Sequence, residues 1–428
     1  MSAPSTRRKS SALIAWALYD WANSAFFTLI QTFVFAIYFV RVVAENETVG
    51  TALWGYMTAA SGFVIALGGP VLGAMADQGG RRKPWIAVFT LLCVFATAGL
   101  WFVAPSPDFV LLALIVVAVG TLGAEFASIF YNAMLPDIAS ADRIGRWSGW
   151  GWGLGYAGGL ACLAVALLGF VAAEHPWFDF DRGASEDVRA TFVLTAAWVL
   201  VFSVPLFLFT PDTPSTGKGL SQAAWDGFRQ LLNSARHVRR YRHIVRFLIA
   251  RMLYTDGLLT LFMFGGVYAA GTFDMSPADV LKFGIALNVS AGLGAGAFAW
   301  VDDRIGAKAT IMASLVGLIV PGILILLVDS EAAFWSLGIL IGVFIGPVQA
   351  ASRSYLARAA PQALRAEMFG LYALSGKATS FLGPLTVGWL THLTGSQRIG
   401  MSPIIVLLVT GLVLMFTVPK PRQALSAD

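Results

Sequence analysis

The chain has 428 residues, of which 57% are hydrophobic and only 12% charged, against about 45–50% and about 25% in soluble domains. No single globular core absorbs that excess, because a soluble chain of this length still needs a charged surface. The composition excludes a cytosolic enzyme, a disordered protein and a nucleic-acid binder, and it makes the formal charge of +5 a question of where the cations sit.

A helix crossing about 30 Å of hydrocarbon needs about 20 mainly apolar residues, because no water is there to satisfy backbone groups. Twelve such segments are expected. Six lie at 12–41, 52–76, 84–104, 109–136, 147–173 and 190–210, and six at 245–272, 278–301, 309–328, 332–356, 367–392 and 402–418. The first follows Arg7, Arg8 and Lys9 but is too long for a signal peptide, and it contains Asp20, Asn23 and Gln31.

The second segment ends in Gly73-Ala-Met-Ala-Asp77-Gln-Gly-Gly80-Arg81-Arg82-Lys83. An acid at a helix end can face the positive N-terminus of another helix, Gly80 permits a tight turn, and the three cations anchor the loop. The plainer alternative is that the cations anchor and do nothing else. Segment five opens with Gly149, Gly151, Gly153, Gly155, Gly158 and Gly159, small residues that let helices approach closely, with Tyr156 as its contact to a cavity. Cys93 and Cys162 lie inside apolar runs and are expected to fill helix interfaces. His175, His237, His243 and His392 form no ligand pattern, so neither a metal nor a cofactor is expected.

The stretch 211–244 opens with the turn formers Pro211-Asp-Thr-Pro214 and Gly217-Lys-Gly219. It then predicts an amphipathic helix, with Trp225, Phe228, Leu232, Ala235 and Val238 on one side and Arg229, Arg236 and Arg240 on others. Such a helix lies on anionic headgroups, or else it is a soluble linker. The chain is thus expected to divide into a six-helix half at 1–210, a loop with an amphipathic helix at 211–244, and a second six-helix half at 245–428. With both ends inside, the inner loops hold about four times the cations of the outer ones, which keep only Arg41, Arg182, Arg189, Lys282 and Arg398.

The halves repeat each other. Ala299-Trp-Val-Asp-Asp303-Arg-Ile-Gly306-Ala307-Lys308 follows segment eight, and setting Asp77 on Asp303 puts Gly80 on Gly306 and Arg82 on Lys308. Leu18-Tyr19-Asp20 in segment one answers Leu253-Tyr254-Thr255-Asp256 in segment seven. Two six-helix halves related by an axis along the membrane normal are the plan of the major facilitator transporters. The first loop resembles that superfamily's signature, Gly-x-x-x-Asp-Arg-x-Gly-Arg-Arg-Lys, with Gln78 where the pattern has arginine. The resemblance implies a conformational latch built from Gly73, Asp77, Gly80, Arg81 and Arg82, with Asp303 and Gly306 as the repeat.

A narrower resemblance covers nearly the whole chain. Its blocks are Trp16-Ala-Leu-Tyr-Asp20-Trp-Ala-Asn23-Ser24-Ala-Phe26, Tyr131-Asn132-Ala-Met-Leu-Pro136-Asp137, and Ser148-Gly-Trp-Gly-Trp-Gly-Leu-Gly-Tyr156-Ala-Gly-Gly159. Gln349-Ala-Ala-Ser352-Arg353-Ser354 and Phe369-Gly-Leu-Tyr372-Ala-Leu-Ser-Gly376-Lys377, followed by Gly383-Pro384, complete them. Together they resemble the "unknown major facilitator" family, related to the yeast vacuolar amino-acid effluxer active in autophagy. The resemblance implies solute transport, with segments one, four, seven and ten lining a central cavity.

An ionisable group at the bilayer centre costs at least about 2.5–3.5 kcal/mol on insertion scales. Asp20, Glu125, Arg251, Asp256, Arg353 and Lys377 stand out for this reason. Helical spacing sets Asn23, Ser24 and Gln31 beside Asp20, Ser128 and Asn132 beside Glu125, and Gln349 and Ser352 beside Arg353. The plainer alternative, which suits Asn132 and Ser128 best, is interhelical glue at about 0.6 kcal/mol each. The functional reading is a substrate and coupling cavity of Asp20, Asn23, Ser24, Gln31, Glu125, Asn132, Tyr156, Asp256, Gln349, Arg353 and Lys377. Buried carboxylates can exchange a proton as water reaches them, so Asp20, Glu125 and Asp256 are candidates for proton coupling. Lys377 and Arg353 are candidates for an anionic group on the solute.

No nucleotide-binding loop is present, so the energy must come from an ion or solute gradient. The expected protein is a monomeric secondary transporter of an amino-acid-like solute in a bacterial inner membrane, with both termini cytoplasmic. Its partners are the solute, protons and the bilayer, without nucleic acid. One rival is an efflux pump for lipophilic cations built on Trp21, Phe27, Trp150 and Trp152. The other is a membrane-embedded enzyme, for which the sequence offers no nucleophile–base pair.

Overall fold

The computed structural model describes residues 6–171, 177–236 and 238–421. His175, His237 and Arg422, the chain ends, and the side chains of Arg7, Arg8, Lys9, Ala235, Val238 and Arg239 lie outside the described residues. Every regular element among those described is helical. In chain order they are α1 (Thr6–Ala25), α2 (Glu47–Gly79), α3 (Lys83–Gly99), α4 (Val110–Ile138), α5 (Ile144–Ala166) and α6 (Glu186–Phe209). There follow α7 (Leu220–Arg236), α8 (Arg242–Phe273), α9 (Pro277–Ile305), α10 (Ala307–Ile325) and α11 (Glu331–Ala359). The last are α12 (Arg365–Lys377), α13 (Leu382–Thr394) and α14 (Ser402–Thr417). Beyond Ala25, α1 continues through wide turns at Phe26–Phe33 and Phe39–Val43, a widening that recurs at functional sites.

Among the described residues, 11 helical stretches are long and apolar enough to cross a membrane. They coincide with eleven of the expected segments. The remaining one, 367–392, is not a single helix. It stops at Lys377, turns through 378–381 and restarts at Leu382. Pro384 explains the restart. A continuous helix would need an N–H there to bond the Ser380 carbonyl, and the proline ring would press on that carbonyl instead. Starting at Leu382 places Pro384 in a first turn, where no N–H is required.

The chain forms two compact units. The first gathers Met1–Leu67, Gly80–Met134 and Leu154–Thr216, and the second Gly68–Gly79, Leu135–Gly153 and Gly217–Asp428. The first has an aromatic core in which Phe26, Phe35, Tyr38, Phe39 and Phe192 are buried together with Cys93 and Cys162, both unbridged. In the second, Phe247 of α8 stacks on Tyr355 of α11 at 4.3 Å. The expected amphipathic helix is α7. Its Trp225, Phe228 and Leu232 are exposed, while Ala223 is buried and Gly227 lies against Ala74 and Met75 of α2.

Candidate functional site

In the first unit the polar stripe of α1 meets that of α4. The Asn23 amide donates to the Ser128 hydroxyl at 3.1 Å, and the Gln31 amide donates to the Thr121 hydroxyl at 2.6 Å. Ser128 and Thr121 donate in turn to the Ala124 and Val117 carbonyls of their own helix, which leaves hydroxyl lone pairs for α1. Glu125 sits between these two rungs, half-buried, with Asn132 half-buried two turns further on. Thr121 belongs to the same four-residue stripe as Glu125 but is missing from the expected set; its spacing was the signal that could have found it.

Asp20 and Ser24 lie on the side of α1 that meets α5. A Cβ at Gly155 would stand 2.7 Å from the Ser24 hydroxyl and 3.4 Å from the Asp20 carbonyl oxygen. Tyr156, the neighbour of Gly155 in sequence, is half-buried. Two of the motif blocks pack into one body. The Trp16 indole donates to the Tyr131 carbonyl at 3.0 Å and stacks on its ring at 4.5 Å, while Tyr19 shares a 2.6 Å hydrogen bond with Thr90.

In the second unit the charged residues gather at the break between α12 and α13. Asp256 of α8 is 1% exposed, and both its carboxylate oxygens face the Gly383 N–H in the first turn of α13, at 3.4 and 3.3 Å. A side chain at 383 would close this approach, because a Cβ would meet the Thr260 hydroxyl at 1.9 Å. On the other side of the break, Arg251 donates to the Tyr372 carbonyl at 2.6 Å and to the Ser375 hydroxyl at 2.7 Å. Lys377 occupies the last turn of α12, half-buried. An acid at a helix start and cations at a helix end match the backbone dipoles. The sequence marks Arg251 as a rare buried charge but gives no hint of this partner.

Arg353 of α11 is 2% exposed. Its Nε donates to the Ser148 hydroxyl at 2.9 Å and its Nη2 to the Ser148 carbonyl at 2.7 Å, so it ties α11 to the start of α5. Its guanidinium lies 5.7 Å from the Trp152 ring. Gln349, one turn earlier on α11, is half-buried.

The expected latch residues make specific contacts. In the second unit, the Asp77 carboxylate at the end of α2 accepts the N–H groups of Ala366 at 3.1 Å and Glu367 at 2.9 Å, in the first turn of α12. Asp303 at the end of α9 accepts the N–H of Arg146 at 3.2 Å, in the first turn of α5, and pairs with Arg358 at 3.1 Å. Each repeated acid therefore caps the start of a helix. Gly73 lies where α2 and α12 nearly touch, since a Cβ there would be 2.2 Å from the Ala366 carbonyl. In the first unit Gly80 has φ +86°, a left-handed conformation, and Gly306 of the second repeats it at +89°. Arg81 is exposed, whereas Arg82 is buried and donates to the Ala133 carbonyl at 2.7 Å.

One pairing read from the repeat needs correction. Lys83 donates to the Phe207 carbonyl at 2.9 Å at the end of α6, and Lys308 donates to the Phe416 carbonyl at 3.2 Å at the end of α14. By these contacts the counterpart of Lys308 is Lys83 and not Arg82: α3 begins three residues after Gly80, whereas α10 begins one residue after Gly306. Gln78, the departure from the superfamily pattern, hydrogen-bonds Gln230 of α7 and accepts from Lys218 at 2.6 Å. Gln230 donates onward to Glu367 at 2.7 Å. The departure therefore wires α7 to the start of α12.

The family model for vacuole effluxer Atg22-like proteins matches residues 39–428. The uncharacterised major-facilitator-type transporter YxiO of Bacillus subtilis is 29% identical over 409 residues, covering 95% of this chain and 94% of its own length. Autophagy-related protein 22-1 of Neosartorya fischeri is 26% identical over 304 residues, 65% of this chain but 48% of the fungal protein. The match to such fungal relatives thus spans about half of their length. Among solved structures, the proton:xylose symporter XylE superposes with a TM-score of 0.71 at 16% identity, covering 97% of this chain and 96% of XylE. The transporter FucP in its outward conformation gives 0.73 at 11% identity, covering 96% and 98%. At these identities the likeness establishes the fold, which is that of the major facilitators.

Proposed function

Because this chain belongs to the vacuole effluxer Atg22-like family, we propose that it is a secondary transporter that moves a small polar organic solute by alternating access. An amino-acid-like zwitterion coupled to protons is the cargo we favour. The observation that carries this reading is the break in the eleventh membrane segment. It brings an acid, Asp256, to one helix start and a cation, Arg251, to the preceding helix end, within an otherwise apolar stretch. Discontinuous helices whose ends face charged groups are a recurrent way to build solute and ion sites in transporters. Lys377 stands at the same break as the group for a solute carboxylate, and Asp20, Glu125 and Asp256 are the proton-coupling candidates. Asn23, Ser24, Gln31, Asn132, Tyr156, Gln349 and Arg353 complete the cavity in this reading.

In the same reading, Asp77 with Gly73, Gly80, Arg81 and Arg82, and Asp303 with Gly306, form latches that engage in one state and release in another. The chain works as two six-helix halves, 1–210 and 245–428, joined by 211–244, as a monomer in a bacterial inner membrane with both ends cytoplasmic. The exposed Trp225, Phe228 and Leu232 of α7 suit a helix lying on lipid headgroups. Lipophilic-cation efflux is less well supported. Trp21 packs against Trp198 and Phe202, and Trp150 against Trp147 and Trp300, so these aromatics serve helix contacts. A thermal-shift panel on the purified protein tests the choice, since a ligand of the folded state raises the melting temperature by mass action. Stabilisation by amino acids supports the proposal. Stabilisation by lipophilic cations alone overturns it.

A further inference from the structure

Glu367 has no role in the transport reading beyond its backbone. Its N–H meets Asp77, yet its side chain is fully buried, at 0% exposure. Oε2 accepts from Gln230 at 2.7 Å, and Oε1 has no hydrogen-bond partner. Among the described residues no cation pairs with it. Arg251 of α8 is bonded to Ser375, eight residues and so about 12 Å further along α12. Leaving a buried acceptor unmatched is costly, more so when it is charged, so an unmatched oxygen at such a place calls for an explanation.

Glu367 is among the residues around a cavity. About 370 Å³ opens between α7, α8 and α12, walled by Leu231, Ile244, Leu248, Met252, Leu371 and Leu374, with Glu367 in its lining. That volume is at the small end of ordinary ligand pockets, which are mostly apolar with a few placed polar groups. We propose that this cavity is a binding site for a compact amine: an apolar body against the leucines and an ammonium donating to Glu367 Oε1. The size favours a free small molecule over a whole phospholipid. The cavity reaches the near side of the break at 378–381, because Ser375, which accepts from Arg251, is also in its lining. Its occupant sits on the residue whose N–H meets Asp77, and on the Gln230 bond that holds α7, so binding reports to the latch contacts directly.

The test uses the full-length protein in detergent and three probes of one shape: 1-adamantylamine, 1-adamantanol and 1-adamantanecarboxylate. The amine is expected to raise the melting temperature saturably, at a concentration at least tenfold below any effect of the alcohol, with no rise from the carboxylate. Glu367→Gln removes the charge but can keep the Gln230 contact, and Leu371→Trp fills the cavity while leaving Glu367 in place. Each should abolish the amine's effect. Should Glu367→Gln fail to fold, Leu371→Trp alone decides. An equal rise with the alcohol, no rise with any probe, or an undiminished rise in Leu371→Trp overturns the proposal. A melting-temperature rise with the amine that added phosphatidylethanolamine suppresses would mark competition by a lipid ammonium for the same oxygen, and supports the site.

Discussion

Asp77→Asn is the sharpest test of the latch. The carboxylate accepts two backbone N–H groups of α12, at 3.1 and 2.9 Å, from residues whose N–H groups have no partner inside that helix. Asparagine keeps one acceptor oxygen and presents an NH₂ group to the other N–H. One charge-assisted bond is lost, worth about 1.5–3 kcal/mol, together with about 0.3–1 kcal/mol of dipole interaction. Water reaches the half-buried site and recovers part of this, which leaves a net of about 1–2 kcal/mol, as for other lost caps. A loss of that size shifts an equilibrium about 5–30-fold. Amide hydrogen exchange at Ala366 and Glu367 should accelerate by that factor in proteoliposomes, and the initial transport rate should fall at matched protein content. Unchanged exchange at both amides would refute the capping argument. Unchanged transport alongside faster exchange would refute the latch.

Gly80→Leu should cut transport while sparing membrane insertion, because φ +86° and a Cβ 2.2 Å from the Pro214 carbonyl leave no room for a side chain; a normal rate at normal expression counts against it. Glu125→Gln should abolish accumulation against a gradient but retain exchange between equal pools, and a variant that still concentrates solute removes Glu125 from coupling. Lys377→Met should melt within a few degrees of the wild type if its ammonium serves the solute, yet bind solute poorly. A much lower melting temperature with normal binding would make Lys377 structural. Asn23→Ala should cost only about 0.6 kcal/mol of stability, the usual value for one interhelical hydrogen bond in a membrane, as read by denaturant titration.

What the sequence reveals here depends on how local its cause is. Eleven spans are legible because each holds about 20 mainly apolar residues, and the turn glycine Gly80 and the capping acid Asp77 are legible because a turn and a helix dipole have simple residue demands. The break in 367–392 escapes a composition argument, since apolar residues flank it on both sides. Pro384 was visible, but only its demand on the Ser380 carbonyl turns it from a motif residue into a restart. Arg353 stands out in the sequence as a charge in the polar cluster of segment ten, while its anchorage on Ser148 depends on a contact 205 residues away in sequence. Gln78 shows the same limit. Its difference from arginine is plain in the chain, while the partner that gives it meaning, Gln230, lies 152 residues away.

The most direct measurement is accumulation of labelled amino acids by proteoliposomes holding the wild-type protein, with a pH difference imposed across the membrane. The account predicts uptake above the outside concentration that collapses when a protonophore removes the gradient, with Glu125→Gln retaining only exchange. No amino-acid movement above protein-free liposomes, in preparations that do concentrate a lipophilic cation, would contradict it.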